Sequence, residues 1–467
     1  MLKKDLIQVT LIKEENVTPI DMASHAALEC YDPKPPALGQ KIDVEGALFK
    51  TGHHTTLQHT YFTFNIEGIS VGDITFGLHL NSPFYNSDQR SGRFCSAMFE
   101  NPDFEALEGY LKTFWFQNSD NKNQEEIKYK CLKLLRMCLD TYQDNLPEAI
   151  SVADKLLRKE RPKASEKYYR INSKKIAQEQ LRMLIPVVFP TGLDYSVNLT
   201  ALAALQRSAW SPVMKYVVQE MCDIVVAKYP EIEFIFDHDI NQNEDWAPEF
   251  QLYKRMPLMD TPEVRNVKVF NPEMFVPIDD SDKHPLDLLH FKPKYMDNDL
   301  VRIESDITVS VATMGQDQRH RTLRRSKPKF TGGFYVPQIL SECGLKEKAE
   351  EIFKYWVDLA YSIEHMPMGL WAIMAPYGAM VEYKKIGSIN AIAHEQAKRL
   401  CWCAQEEIYN LSRMLREVIA TKPECYYIAK IFEPHCFKTG NCAEGSRYCG
   451  RDRSVRSEQA YSPRRMV

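Results

Sequence analysis

The chain has 467 residues, a formal net charge of -4, 44% hydrophobic and 26% charged side chains. That length exceeds what one small core fills, so two domains are expected, and the composition excludes a disordered or fibrous chain. With no apolar run of about 18 residues and no signal-peptide core after Met1, neither a membrane span nor export is expected; the acidic balance argues against a dedicated nucleic-acid binder, and the 12 cysteines are expected as reduced thiols in a cytoplasm.

In chain order, Leu6–Ile12 reads as a strand and Ile20–Cys30 as a helix, closed by the Pro-rich Asp32–Pro36. Thr60–Gly68 alternates aromatic or β-branched residues with small polar ones, which is a strand. A polar loop then ends in Gln89-Arg90-Ser91-Gly92-Arg93. Glycine there admits close backbone approach, serine a hydroxyl and arginine a fork for an oxyanion; a plain surface turn is the competing reading. Residues 104–173 carry helical periodicity, so Cys131 and Cys138 belong to a core. Helix continues from Lys174 to Pro186, and 187–230 read as a turn followed by a long amphipathic pattern. The recurring prolines, Asp and Asn of 238–293 read as a connector. Asp237-His238-Asp239 within this region is better taken as a solvated loop than as a metal site.

Ile303–Met314 alternates again as a strand, and it delivers Gln316–Lys329, which holds six Lys or Arg and one histidine. A basic run of this kind is either a solvated loop, a nucleic-acid contact or an anion receptor; its seat at the end of a strand favours the last. Helices follow over Lys346–His365 and, beyond a turn at Pro376, over Asn390–Ile419. Cys401 and Cys403, two apart in that last helix, point in different directions. No Gly-x-Gly-x-x-Gly element follows a strand, so a Rossmann mode of cofactor binding has no support.

Several of these stretches resemble one family, the flavin-dependent thymidylate synthases, whose hallmark is Arg-His-Arg followed by Ser-x-Arg-Tyr. Gly52–His59 with Phe62–Gly68 resembles the lead-in, and Ser91-Gly92-Arg93-Phe94 the end of the hallmark, but Leu78-His79-Leu80 stands where Arg-His-Arg belongs. Arg182–Pro186 and Val197-Asn198 resemble the family's C-terminal half. Further on, Gln316-Asp-Gln-Arg319-His320-Arg321 resembles the first part of the hallmark with no Ser-x-Arg-Tyr after it. Arg399 through Ala404–Ile408 resembles Arg-x-x-x-x-Ala-Gln-x-Glu-Ile.

The resemblance implies an α+β fold of two tandem copies, each a small mixed sheet with long helices. The first copy would span 1–237 with a helical insert at about 104–173, followed by a connector and start of the second copy over 238–300. The second copy would span 301–433, and a Cys/Arg-rich tail 434–467. What the copies lose is complementary, and in the family sites form between subunits of a homotetramer. The resemblance therefore implies a homodimer imitating that tetramer, with one intact type of composite site and one dead type. Its activity would be methylation of deoxyuridylate, with FAD as cofactor and methylenetetrahydrofolate and NADPH as co-substrates. Ser91, Arg93 and Arg319 would be the catalytic set. Gln89, Ser91, Gly92, Arg93, Arg182, Gln316, Arg319 and Arg399 would hold the nucleotide; His59, Asn198, Arg319, His320 and Arg321 would hold the flavin. Ser91 is a substrate ligand here, since this chemistry needs no protein nucleophile.

Within the tail, His435, Cys436, Cys442 and Cys449 have the ligand types of tetrahedral zinc, but no Cys-x-x-Cys pair, so no metal is expected. Two alternatives to the enzyme stand. One is a silent or altered flavin- or nucleotide-binding homologue, because the two half-motifs never share a copy. The other is an RNA-binding protein using the basic run and the tail.

Overall fold

The computed structural model describes residues 1–13, 17–31, 36–37, 39–80, 85–92, 97–116, 122–236, 249–250, 258–282, 289–362, 366–439, 442, 444–445, 448–452 and 463–467. Arg93 and Asp237-His238-Asp239 lie outside them.

The first sheet contains β1 (Gln8–Lys13), β2 (Tyr61–Ser70), β3 (Tyr85–Gln89) and β4 (Pro190–Asn198), in the order β1-β2-β4-β3, all antiparallel. β2 forms because alternate side chains are apolar: Phe62, Phe64 and Ile66 are fully buried while Tyr61 faces out. The second sheet contains β5 (Glu249–Phe250), β6 (Leu258–Met259), β7 (Glu263–Phe270), β8 (Arg302–Ser310), β9 (Arg324–Arg325), β10 (Lys329–Tyr335) and β11 (Ala379–Ser388). Its path is β5-β10-β11-β8-β7, with β6 on β10 and β9 on β11. The run β7-β8-β11-β10 thus repeats β1-β2-β4-β3 strand for strand.

The sequence reading did not foresee the central strands β4 and β11, nor β3 within the expected polar loop and β7 within the expected connector. β4 opens Pro-Thr-Gly, the chemistry of a turn, before Leu193, Tyr195 and Val197 turn inward. In β11 the inward series continues from Val381 and Tyr383 into Lys385, a charge that breaks the apolar pattern yet is buried.

The nine helices used below are α1 (Pro19–Tyr31), α2 (Lys122–Glu160), α3 (Glu166–Leu181), α4 (Leu199–Ser208), α5 (Pro212–Lys228), α6 (Val311–Asp317), α7 (Lys346–Ser362), α8 (Ile389–Arg399) and α9 (Glu406–Ala420). Corresponding strands end in corresponding caps. Ser70 after β2 accepts from the Asp73 amide and Ser310 after β8 from the Thr313 amide; Asn198 after β4 and Ser388 after β11 accept from Ala201 and Ala391. The expected single helix Asn390–Ile419 is two, α8 and α9. Tail arginines take the carbonyls freed by the break: Arg451 donates to Leu400 O (2.9 Å) and Arg465 to Ala404 O (2.9 Å). Cys401 and Cys403 therefore sit in a loop, not in a helix.

The halves join about a short antiparallel bridge between Pro186 and Pro376. The Val187 amide donates to Ala375 O (2.9 Å) and the Tyr377 amide to Ile185 O (2.8 Å). One hydrophobic core runs through both halves, and a second, smaller one lies between the β7–β8 end of the second sheet and α8–α9.

Candidate functional site

The basic run is seated from below. Ser310 caps α6, and the Glu407 carboxylate from the first turn of α9 accepts from the Ser310 amide (2.7 Å), the Ser310 hydroxyl and the Thr313 hydroxyl (2.7 Å). Burial pushes Glu407 up to about 6, against the pull of those donors. Gln316 at the end of α6 donates its side-chain amide to Gln405, while Arg399 donates to Gln316 O (2.6 Å) and to His320 Nε2 (2.9 Å). Burial and the Arg399 guanidinium hold the His320 imidazole well below its ordinary value, so it is a neutral acceptor. Gln405 and Glu407, the core of the Ala404–Ile408 stretch, thus act as braces for α6.

Beneath the run lies an ion network that sequence reasoning missed. Asp317 is wholly buried and accepts from Arg325 (2.5 Å), Lys385 (2.7 Å) and Tyr383 (2.9 Å); Lys385 also donates to Glu395 (2.6 Å). Burial works to raise the Asp317 carboxyl, but Arg325 and Lys385 together hold it well below the usual range. Arg325 is therefore a structural cation, not part of a free basic surface. The only sequence signal was Asp317 standing inside the Gln316–Arg321 motif itself.

Above the run, the second half meets the first. Arg319 donates to Ser87 O (3.3 Å) and Gln89 O (3.4 Å), and Arg321 to Ser87 O (2.5 Å) and Ser87 Oγ (3.1 Å). Arg321 also lies over the Tyr85 ring at 5.3 Å, and Gln318 donates to Thr75 O (3.0 Å). His79, the remaining histidine of Leu78-His79-Leu80, stacks on Tyr85 (5.5 Å), and its Nε2 lies 2.8 Å from Ser87 Oγ. The strand leading to Ser91-Gly92 and the turn carrying Arg319-His320-Arg321 are thus brought together within one chain. His79, Tyr85 and Ser87 are contacts that sequence reasoning did not assign.

Gly92 is packed against a further candidate: a Cβ there would stand 2.9 Å from the Arg182 guanidinium. Arg182 is buried, with its guanidinium 5.1 Å from the centre of the Tyr377 ring. Arg182 Nε and Arg321 Nε are both buried without a hydrogen-bond partner. Burial and the neighbouring Arg321 charge depress Arg319, and Asp88 opposes them only weakly. Unpaired buried cationic donors cost free energy unless an anion meets them, so the donor set fits a phosphate group.

The other candidates separate. Asn198 spends its side-chain oxygen as the cap of α4, accepting from the Ala201 amide (2.8 Å) and the Thr200 hydroxyl (2.9 Å). His59 is exposed at the end of a 3₁₀ turn, His54–His59. Both lie at the end of the first sheet where Tyr85 pairs with Val197, but neither hydrogen bonds to Arg319, His320 or Arg321 among the described residues. No group of three or more His, Cys, Asp or Glu side chains among the described residues has a metal-holding arrangement.

The repeat of strand order defines a second, register-equivalent place, and it is filled. Ser70 pairs with Pro190 and Ser310 with Met380, which sets β4 against β11; Phe330, opposite Val381, then corresponds to a place facing Thr191, which the β3 register, ending at Gln89–Leu193, would reach at Ser91 if continued. Phe76 stands as far beyond its capping serine as Gln316 does. Phe76 meets Phe330 (5.6 Å), which meets Trp356 (5.3 Å) and Trp371 (5.1 Å). The two indoles stack at 4.3 Å, and each N–H donates to the other's carbonyl at 3.0 Å. Trp210 donates to Phe76 O (2.8 Å), as Arg399 does to Gln316 O. Trp356→Ala should cost about 3–5 kcal/mol in denaturant unfolding and leave phosphate affinity at the arginine cluster within about twofold; a large affinity loss would mean this cluster belongs to the site.

Residues 14–231 match the sequence model of the family described as Thymidylate synthase complementing protein. Similar solved structures include two of thymidylate synthase X (ThyX) from Helicobacter pylori with FAD and dUMP. Each is 21% identical; they cover 50% of this chain and 97% and 99% of the other chains, at TM-scores of 0.31 and 0.32. No curated protein matches the chain.

Proposed function

We propose, from the match of residues 14–231 to this family's sequence model, that the chain is a flavin-dependent thymidylate synthase and methylates deoxyuridylate to thymidylate. FAD is the cofactor, methylenetetrahydrofolate the carbon donor and NADPH the reductant. The reading takes the chain as a tandem duplication whose two halves share one site, working as a cytoplasmic homodimer in place of a tetramer. One observation carries it: Arg319 and Arg321 of the second half donate to Ser87 and Gln89 of the first, on the strand that leads to Ser91-Gly92. The repeated strand order and caps, and the aromatic filling of the register-equivalent place, support the duplication.

In this mechanism Arg319, Arg321 and Arg182 would receive the phosphate groups of nucleotide and flavin, the unpaired Nε–H donors of Arg182 and Arg321 finding acceptors that the fold itself does not provide. Ser91 and Gly92 form the rim, where the absence of a side chain on Gly92 leaves room for the Arg182 guanidinium. Gln316 and Arg399, fixed by Gln405 and His320, orient the pyrimidine edge. Neutral His320 does not compete for the anion's charge, since it serves as acceptor for Arg399. When bound, reduced FAD supplies the reducing equivalents for methyl formation. His59 and Asn198 reach the flavin in this reading only from the Tyr85 end of the sheet, and Asn198 would have to share its capping oxygen.

The purified full-length protein should carry a flavin absorbance. Given deoxyuridylate, methylenetetrahydrofolate and NADPH, it should form thymidylate. Flavin without product would sink the enzyme reading in favour of a silent binding homologue. RNA retention without flavin would favour the basic run as a nucleic-acid contact, although Arg325 is already committed to Asp317.

A further inference from the structure

A cavity of about 320 Å³ lies between α3, the loop joining α8 to α9, and the tail, and Cys401, Cys403, Cys436, Cys442 and Cys449 line it. Three of these thiols differ from the buried cysteines elsewhere in accepting a backbone amide; Cys436 does not, and burial pushes it up to about 12. Cys131 in α2 has only its burial, which pushes the thiol up to about 12. Here three sulfurs each accept the backbone amide two residues on: Cys401 from Cys403 (3.4 Å), Cys442 from Glu444, and Cys449 from Arg451. A turn that wraps an N–H onto a sulfur favours the thiolate, because a hydrogen bond to the charged form stabilises that form. The turns are built for it. Gly450 (φ 75°) lies between Cys449 and Arg451, and a Cβ there would stand 2.5 Å from the Ala164 amide nitrogen; Gly445 (φ 54°) follows Glu444. The Cys403 side chain hydrogen bonds to both Cys401 and Cys449, and Cys436 lies in the electrostatic reach of Cys401, Cys442 and Cys449. Arg161, Arg451 and Arg465, all buried, line the same space and would offset thiolate charge.

We propose that these cysteines form a thiolate site for one soft divalent cation of the zinc class, with Cys401, Cys442 and Cys449 as ligands and Cys403 or Cys436 as the fourth. Three amide-to-sulfur turns converging on one cavity are more than loose cysteines require, and soft thiolates select such a cation. No three of the described side chains hold a metal-ligand arrangement as they stand. A tetrahedral set would therefore require these cysteine side chains to re-orient on binding. As each sulfur–metal bond forms, the S–H proton leaves to water, so binding tightens as pH rises. The ligand set departs from the one suggested by spacing alone: the α8–α9 loop supplies Cys401, and His435 is not needed. The cation would pin the tail to the loop just beyond Arg399, which lines the same cavity; this does not depend on the catalytic reading.

The test uses full-length protein purified without chelator. Atomic emission should find about one zinc per chain. Cobalt(II) added after chelation should give the intense sulfur-to-metal charge-transfer bands of a thiolate site and shield about four thiols from a thiol reagent. Cys442→Ser and Cys449→Ser should each weaken binding by at least ~100-fold, with Cys131→Ser unchanged. The cobalt spectrum and thiol count on the unsubstituted chain decide the question even where a variant fails to fold. The proposal is overturned by a cobalt complex without sulfur bands, by a Cys442→Ser chain that keeps its metal, or by a disulfide among these five cysteines in freshly purified protein.

Discussion

Arg319→Ala should weaken deoxyuridylate binding by roughly 10–150-fold, the equivalent of about 1.5–3 kcal/mol for a lost charge-assisted hydrogen bond, and abolish measurable thymidylate formation. The residue is half-buried, its guanidinium depressed by burial and by Arg321, and it reaches across the joint to Ser87 and Gln89. Removing it deletes an anion donor and one tether between the halves. The two losses are separable. Arg319→Lys keeps the charge but not the fork, so it should lose binding while restoring most of the stability lost by the alanine variant. Arg324→Ala, an exposed neighbour in the same run, should change neither. Isothermal titration with deoxyuridylate alongside chemical denaturation reads both quantities. Equal effects of Arg319→Ala and Arg324→Ala would reduce the cluster to a surface patch.

Asp317→Ala should be among the most destabilising single changes in the second half, at about 3–5 kcal/mol, because it strands two buried cations. Arg325 and Lys385 would lose their shared carboxylate, and Tyr383 its acceptor. The pH dependence has a definite sign. The folded carboxyl is held below its ordinary value of 3.8, so its contribution is fully present above that pH and is lost as pH falls through the folded value. Unfolding midpoints followed from neutrality into acid should fall steeply below about pH 4 for the natural chain and more gently for Asp317→Asn. A variant with an unchanged midpoint at neutral pH would show that Glu395 alone satisfies Lys385 and Arg325.

Residues contiguous in the chain were the ones readable from it. Gln316–Arg321 and Ser91-Gly92 stood out because each is a short contiguous run, and β2 and β8 because apolar residues alternate along them, although the expected strand Ile303–Met314 ends at Ser310 and Val311–Asp317 is helix α6. β4 and β11 were hidden by a turn-like Pro-Thr-Gly opening and by a lysine on the buried face. That lysine is tolerated only because Asp317 and Glu395, far away in sequence, wait for it. The break between α8 and α9 was equally hidden, since Arg451 and Arg465 from the tail supply the missing caps. His79 reads as a lost motif in sequence and is a contact of Ser87 in space. Periodicity reports what one segment wants; these features depend on what another segment provides.

The aromatic filling of the register-equivalent place also bears on how such a chain can change over generations. Taking the chain as duplicated, a return to two working sites would require Phe76, Phe330, Trp210, Trp356 and Trp371 to give way to polar and cationic residues. Any first step would either open a void among stacked rings or bury an unpaired charge, each at a cost of several kcal/mol. That is a large share of what a folded chain has to spare. On the proposed duplication, the filled place would work as a ratchet: asymmetry between the halves, once packed, would not be undone one substitution at a time, and the lineage would be held to a single site per chain.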